Sequence, residues 1–211
     1  MKQEDIMKAL NTCLEDKGKR KFTQSVEFVL NFKDVDFTKQ TSRLNLSVAL
    51  PNGTGKVVKL AVFAEGQLAL DAKKLGADLI MSGADIPELA KNKIKLKLLM
   101  KDHVFFAQPN LMMQVGKNLG QVMGVKDKLP KPIVGGSLDK LAEAEKRTIK
   151  LKSKGKYLPV ASCLVGNETM PPEKLVENIT SVYDAVSNSV GKQSLKSAYV
   201  KLTMGKPVRV F

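Results

Sequence analysis

The period of the apolar residues changes twice along this chain. From Ser25 to Phe32, the side chains of Val26, Phe28, Leu30 and Phe32 take every second position, and Leu44, Leu46, Val48 and Leu50 repeat the pattern. Period two marks a strand with one buried face. After "PNGTGK", Pro51 to Lys56, the stretch "VVKLAVFA" is apolar almost without a break, as expected of a strand covered on both faces in a parallel sheet. Alternation returns in "RTIKLKSKGKYLPVASCLV" and in "SAYVKLTMGKPVRVF". Two ends that share one pattern around a middle with another imply an insertion: an α/β domain over residues 54–147 inside an α+β domain made of residues 1–53 and 148–211.

The remaining elements follow the same periods. Ile6, Leu10 and Leu14 recur every fourth residue and predict a helix over 3–16. The strand over 43–50 is expected to pair antiparallel with the one over 25–32. In the middle, a helix over 66–76, a strand "ADLIM", a helical turn or two at "IPELAK", a strand "HVFFA" and a helix "PNLMMQVGKNLGQVM" alternate as βαβ units do. The loop "GVKDKLPKPIVGG" precedes a helix over 138–146. The run Lys-Ser-Lys-Gly-Lys is read as a hairpin turn between two strand-like arms, and a helix over 171–189 lines up Leu175, Ile179, Val182 and Val186. Methionines at helical spacing in 111–123 read as core filling.

Several chemistries are excluded by inventory. Cys13 and Cys163 stand far apart and His103 is the lone histidine, so neither a zinc cluster nor a disulfide framework can be built. No GxGxxG or GxxxxGK[ST] occurs after the first buried strand, which leaves nucleotide phosphates without a glycine cradle. Asp34 with Asp36, and Glu143 with Glu145, lie among lysines in solvated segments and suggest no acid–base pair. His103 reads as a strand-edge residue. No catalytic residue, metal or cofactor is expected, and the alternative is a phosphate-substrate or nucleotide-dependent enzyme built on the inserted domain. No run approaches the roughly 18 apolar residues of a membrane span, and "MKQEDIMKALNTCLEDKGKRK" lacks the apolar centre of a signal peptide. A cytosolic protein with no membrane partner is expected.

Charge then becomes the leading clue. The chain carries 35 Lys and Arg against 21 Asp and Glu, a net charge of +14, which calls for a polyanionic partner. With aromatics at 5% of the residues and no zinc finger, helix-turn-helix or aromatic RNA-binding pattern, recognition must rest on surface shape and backbone contacts.

Four stretches point further. "KFTQSVEFVLNF" at Lys21 to Phe32, "LPNGTGK" at Leu50 to Lys56, "KLPKPI" at Lys128 to Ile133 and "SAYVKLTMG" at Ser197 to Gly205 stand in the order and spacing of one family. Together they resemble the ribosomal protein L1 family in its archaeal type, and the similarity spans essentially the whole chain. The resemblance implies a split two-layer α+β domain with an inserted Rossmann-like three-layer α/β domain. It also implies a noncatalytic protein, a monomer when free, that binds structured large-subunit rRNA at the mobile stalk near the tRNA exit site. A messenger operator of its own and deacylated tRNA at the exit site are further implied partners, and a cytoplasmic, ribosome-associated location follows.

The family's RNA surface belongs chiefly to the split domain. The matching positions are Lys21, Phe22, Ser25 and Glu27, assigned to the first strand, with Ser197, Thr203, Met204 and Gly205. On this reading Gly205 lets RNA backbone approach closely, Thr203 offers a hydroxyl to a phosphate or ribose, Met204 supplies an adaptable apolar surface and Lys21 meets a phosphate. Phe22 reads equally as a core residue and Glu27 as an exposed strand carboxylate. Lys152 and Lys154, at the expected hairpin turn, are added as RNA contacts. The family usually has proline directly after TMG, whereas Lys206 stands here with Pro207 next.

Overall fold

The computed structural model describes residues 2–39, 42–133, 138–153 and 158–211. Contacts between Cα atoms divide the chain into two compact units, Met1–Lys56 with Lys146–Phe211, and Val57–Glu145.

In the first unit the alternating segments become strands of one antiparallel sheet. β1 (Ser25–Phe32) buries Val26, Phe28, Leu30 and Phe32 on one face and leaves Ser25, Glu27, Val29 and Asn31 half-buried on the other. β8 (Val160–Asn167) and β9 (Leu195–Leu202) flank β1, and the short β10 (Val208–Arg209) completes the order β10-β9-β1-β8. The buried face packs against α1 (Gln3–Leu14) and α7 (Pro172–Val190), whose Ile6, Leu10, Leu175, Ile179, Val182 and Val186 are fully buried. Gly166 lets α7 come this close, because a Cβ there would lie 2.4 Å from Leu175 Cδ2.

β2 (Asn45–Ala49) does not join β1. It pairs antiparallel with β7 (Thr148–Lys152) in a separate two-stranded ribbon, Leu46 opposite Leu151 and Val48 opposite Ile149. The reason is occupancy, since both edges of β1 are already taken by β8 and β9. The two arms expected to form one hairpin therefore belong to different sheets, β7 to the ribbon and β8 to the four-stranded sheet. Buried Asn178 on α7 ties the unit's two halves together. Its Oδ1 accepts from Asn52 N at 3.1 Å, and its Nδ2 donates to Gly53 O at 2.9 Å and Val165 O at 2.7 Å.

The second unit is a three-layer α/β sandwich. β3 (Lys59–Phe63), β4 (Leu79–Met81), β5 (His103–Ala107) and β6 (Lys131–Pro132) form a parallel sheet in the order β4-β3-β5-β6. β3 is buried on both faces, which is why its sequence is a continuous apolar run. Phe63, Phe105 and Met81 pack beneath α3 (Asp85–Lys91), α4 (Lys93–Asp102) and α5 (Pro109–Gly124), while Leu60, Val62 and Phe106 pack beneath α2 (Gln67–Lys74) and α6 (Leu138–Arg147). Two features go beyond the sequence reading: helix α4, to which periodicity assigned no element, and the two-residue strand β6 inside the expected loop. Met123 is fully buried while Met113 is exposed, so the methionine row of α5 is only partly core. Among the described residues no helix is long and apolar enough to cross a membrane.

Candidate nucleic-acid interface

The open face of the four-stranded sheet is assembled by register. Glu27 stands between Lys201 on β9 and Leu164 on β8, Val29 between Tyr199 and Ser162, and Asn31 between Ser197 and Val160. The pairing of β1 with β8 shifts between Val26 and Glu27, where β8 carries one extra residue. Such a bulge re-aims side chains locally. A shallow depression of about 240 Å³ opens there, lined by Ser25, Glu27, Lys56, Ser162, Cys163 and Leu164.

Lys201 ties the face to the turn that follows β9. Its Nζ lies 3.7 Å from Glu27 Oε2 and donates to Thr203 O at 3.1 Å. A half-exposed pair of this kind contributes little stability, about 0–1 kcal/mol; its effect is to fix positions. Thr203 is held further by Ser25, whose N–H donates to Thr203 Oγ1 at 3.1 Å while that hydroxyl donates to Ser25 O at 3.3 Å. The Thr203 hydroxyl is therefore already used as a donor, and what it offers an RNA is its remaining lone pair, as an acceptor.

Gln24 anchors the other side of the turn. Only 2% exposed, its Oε1 accepts from Met204 N at 3.2 Å, and its Nε2 donates to Glu168 Oε2 at 3.4 Å and to Asp16 O at 3.5 Å. Glu168 is also buried, and its N–H donates to Gln24 O at 2.9 Å. With the backbone of Met204 fixed from inside, its side chain projects outward and is 60% exposed. Gly205 closes the turn, its N–H donating to Leu202 O at 3.0 Å. A Cβ on Gly205 would sit 3.1 Å from Leu202 Cβ, so a side chain here would press on Leu202 within the turn. Asp16, Lys19, Arg20, Gln24, Met204 and Gly205 line a second depression of about 130 Å³. The exposed Asp16 carboxyl is held below its ordinary range by a hydrogen bond and charge from Lys19.

The expected site residues sort clearly. Ser25, Glu27, Thr203, Met204 and Gly205 come together at one end of the β1–β9 pairing and the turn beyond it, whereas Ser197 stands opposite Asn31 at the other end. Lys21 and Phe22 are not on β1 but in the segment before it, because Gln24 must turn inward to reach Glu168 and Met204 before the strand can begin. Phe22 is 51% exposed and so is no core residue. Ser197 is nearly buried, its hydroxyl accepting from Asn31 Nδ2 at 3.0 Å. Lys152 ends β7 in the two-stranded ribbon, away from the β1–β9 pairing, and Lys154 lies outside the described residues. Sequence reasoning missed Gln24, Asn31, Glu168 and Lys201, whose roles arise from partners up to 180 positions away.

Among the described residues no competing chemical centre emerges elsewhere. His103 Nδ1 lies 3.1 Å from Leu99 O, Asp36 accepts from Thr38 N and Oγ1, and Glu145 is paired with Lys131. Among the described residues no group of His, Cys, Asp and Glu is placed to hold a metal ion.

The sequence profile described as the Ribosomal protein L1p/L10e family matches residues 10–206. This chain belongs to that family. It is 42% identical to the large ribosomal subunit protein uL1 of Methanothermobacter thermautotrophicus over 212 residues, covering 99% of each chain. It is 40% identical to the uL1 of Methanothermococcus thermolithotrophicus, covering 100% of this chain and 99% of the relative, and 40% identical to that of Thermofilum pendens, covering 91% and 86%. Family membership spans both units, and the relatives are named as ribosomal proteins rather than as enzymes. A nucleotide-dependent or phosphate-substrate enzyme on the inserted unit finds no support in the family.

Proposed function

We propose that this chain is a large-subunit ribosomal protein that binds structured rRNA through the open sheet face and the Thr203–Gly205 turn of its split unit. The observation that carries this reading is the turn itself: its backbone is fixed by Gln24, Ser25 and Lys201, and an exposed methionine lines one depression with Lys19 and Arg20. A rigid apolar tip among cations suits an RNA fold, where sugar and base faces need contact area and phosphates need charge. The net charge of +14 supplies the sequence-independent attraction. The finer assignments belong to the same proposal and rest on the resemblance of the chain to its family: a place on the mobile stalk near the tRNA exit site, contact with deacylated tRNA there, and repression of its own messenger through an RNA element of similar shape.

A filter-binding titration at moderate salt tests it. The full chain should bind a large-subunit rRNA fragment in preference to a random duplex of equal length, and Met204→Asp should weaken the specific binding by about 1–3 kcal/mol, more than it weakens binding to the duplex, where the added carboxylate acts only by repelling phosphate. Equal affinity for both RNAs, or an unchanged titration with Met204→Asp, would contradict the proposal.

A further inference from the structure

Helix α4 carries a conflict between its sequence and its fold. In "KIKLKLLMKD" lysine and aliphatic residues alternate from Lys93 to Leu98, which is the pattern of a strand. Asn92 nonetheless caps a helix, its side chain accepting from Lys95 N at 3.1 Å. The helical period then divides the apolar residues between two faces. Leu96 and Met100 are buried, whereas Ile94 and Leu98, one turn apart, are 75% and 57% exposed. Lys97 and Lys101 form a parallel row beside them, and Lys95 lies on the other flank. Places where local pattern and fold disagree are where function is to be sought.

We propose that this outer face of α4 is a docking surface for an acidic protein segment bearing an aliphatic anchor. Five lysines and no acidic residue stand between Lys91 and Lys101. Among the described residues Lys91, Lys93, Lys97 and Lys101 make no ion pair. A partner that covers this face must be anionic, and it must also cover two aliphatic side chains. RNA meets the first requirement only: at the Met204 turn an arginine, Arg20, lines the same depression as the apolar side chain, whereas α4 has neither an arginine nor an aromatic side chain for a base to stack on. A second copy of this chain would set lysine against lysine. A bilayer would be held by two aliphatic residues without an aromatic anchor. Asp or Glu residues around a Leu or Ile, spaced one turn apart on a helix, match both rows of α4 at once.

The test uses the full ¹⁵N-labelled chain and a synthetic helical peptide with leucines four residues apart in a glutamate-rich background. Amide shifts should cluster at residues 93–101. Leu98→Glu, at an exposed position that leaves the fold intact, should weaken peptide binding by about tenfold or more, the usual cost of losing an anchor side chain. A peptide with lysine in place of glutamate should produce no shifts. The proposal is overturned if Leu98→Glu binds the acidic peptide as well as the parent chain does, or if the shifts fall outside α4. It is also overturned if an RNA hairpin or phosphatidylserine vesicles perturb α4 at lower concentration than the peptide. Because α4 lies in the inserted unit, none of these outcomes depends on rRNA binding by the split unit.

Discussion

Replacing Gln24 by leucine keeps the side-chain volume nearly constant and removes the donor and acceptor that hold the turn from beneath. Met204 N–H loses its acceptor at 3.2 Å, and the buried Glu168 carboxylate loses its donor at 3.4 Å. A net hydrogen bond contributes about 0.5–1.5 kcal/mol and one to a charged group about 1.5–3 kcal/mol; the long distance to Glu168 puts that bond at the low end. The expected loss for Gln24→Leu is therefore about 2–3 kcal/mol, a fall of roughly 5–10 °C in Tm for a chain of this size. Glu168→Leu should cost less, because it removes the buried charge instead of stranding it. The double variant should then be more stable than the sum of the two losses implies, with a coupling of about 1 kcal/mol. Urea titrations followed by far-ultraviolet circular dichroism give all four corners of the cycle. Additive losses, within about 0.5 kcal/mol, would refute the claim that Gln24 and Glu168 act as one unit beneath Met204.

Thr203→Val removes the bond from Ser25 N–H at 3.1 Å; a loss of about 1 kcal/mol should speed amide exchange at Ser25 by about fivefold, measurable by NMR, and exchange unchanged there would show that the hydroxyl does not hold the start of β1. Gly166→Ala places a Cβ 2.4 Å from Leu175 Cδ2 and 2.9 Å from Met170 Sδ, an overpacking that should cost about 1–3 kcal/mol in urea unfolding. Burial pushes the Cys163 thiol up to about 12 from its ordinary value of 9.0. The folded state thus keeps the proton where the unfolded chain gives it up, so this contribution to stability is complete below pH 9 and is lost as pH rises from there toward 12. Cys163 should also resist Ellman's reagent at pH 8 until urea unfolds the chain, and rapid modification of the native protein would contradict that burial.

What could be read from the sequence was whatever depends on neighbours. Val26, Phe28, Leu30 and Phe32 declare β1 by alternation, and the run around β3 declares its burial on both faces, because side-chain period reports exposure directly. Partner choice was not legible. Leu44 to Leu50 alternate as clearly as β1 does, yet nothing local tells β2 to pair with β7, more than 90 positions away, once β8 and β9 have filled both edges of β1. Helix α4 was not legible for a different reason: the order of its apolar residues is strand-like, while its lysines and leucines are good helix formers and Asn92 caps it as a helix. At the candidate site, Thr203, Met204 and Gly205 stood out through the family resemblance, but Gln24 and Lys201 are ordinary polar residues until the fold brings Glu168, Glu27 and Thr203 to them.

The central claim is that the edge formed by the start of β1 and the turn after β9 is the surface an RNA rests on. Photocrosslinking of the full chain to a 4-thiouridine-substituted large-subunit rRNA fragment, followed by mass spectrometry of the attached peptides, addresses it directly. Crosslinks should concentrate within residues 19–27 and 197–206. Crosslinks concentrated within residues 57–145, or spread evenly over the lysines of both units, would contradict it.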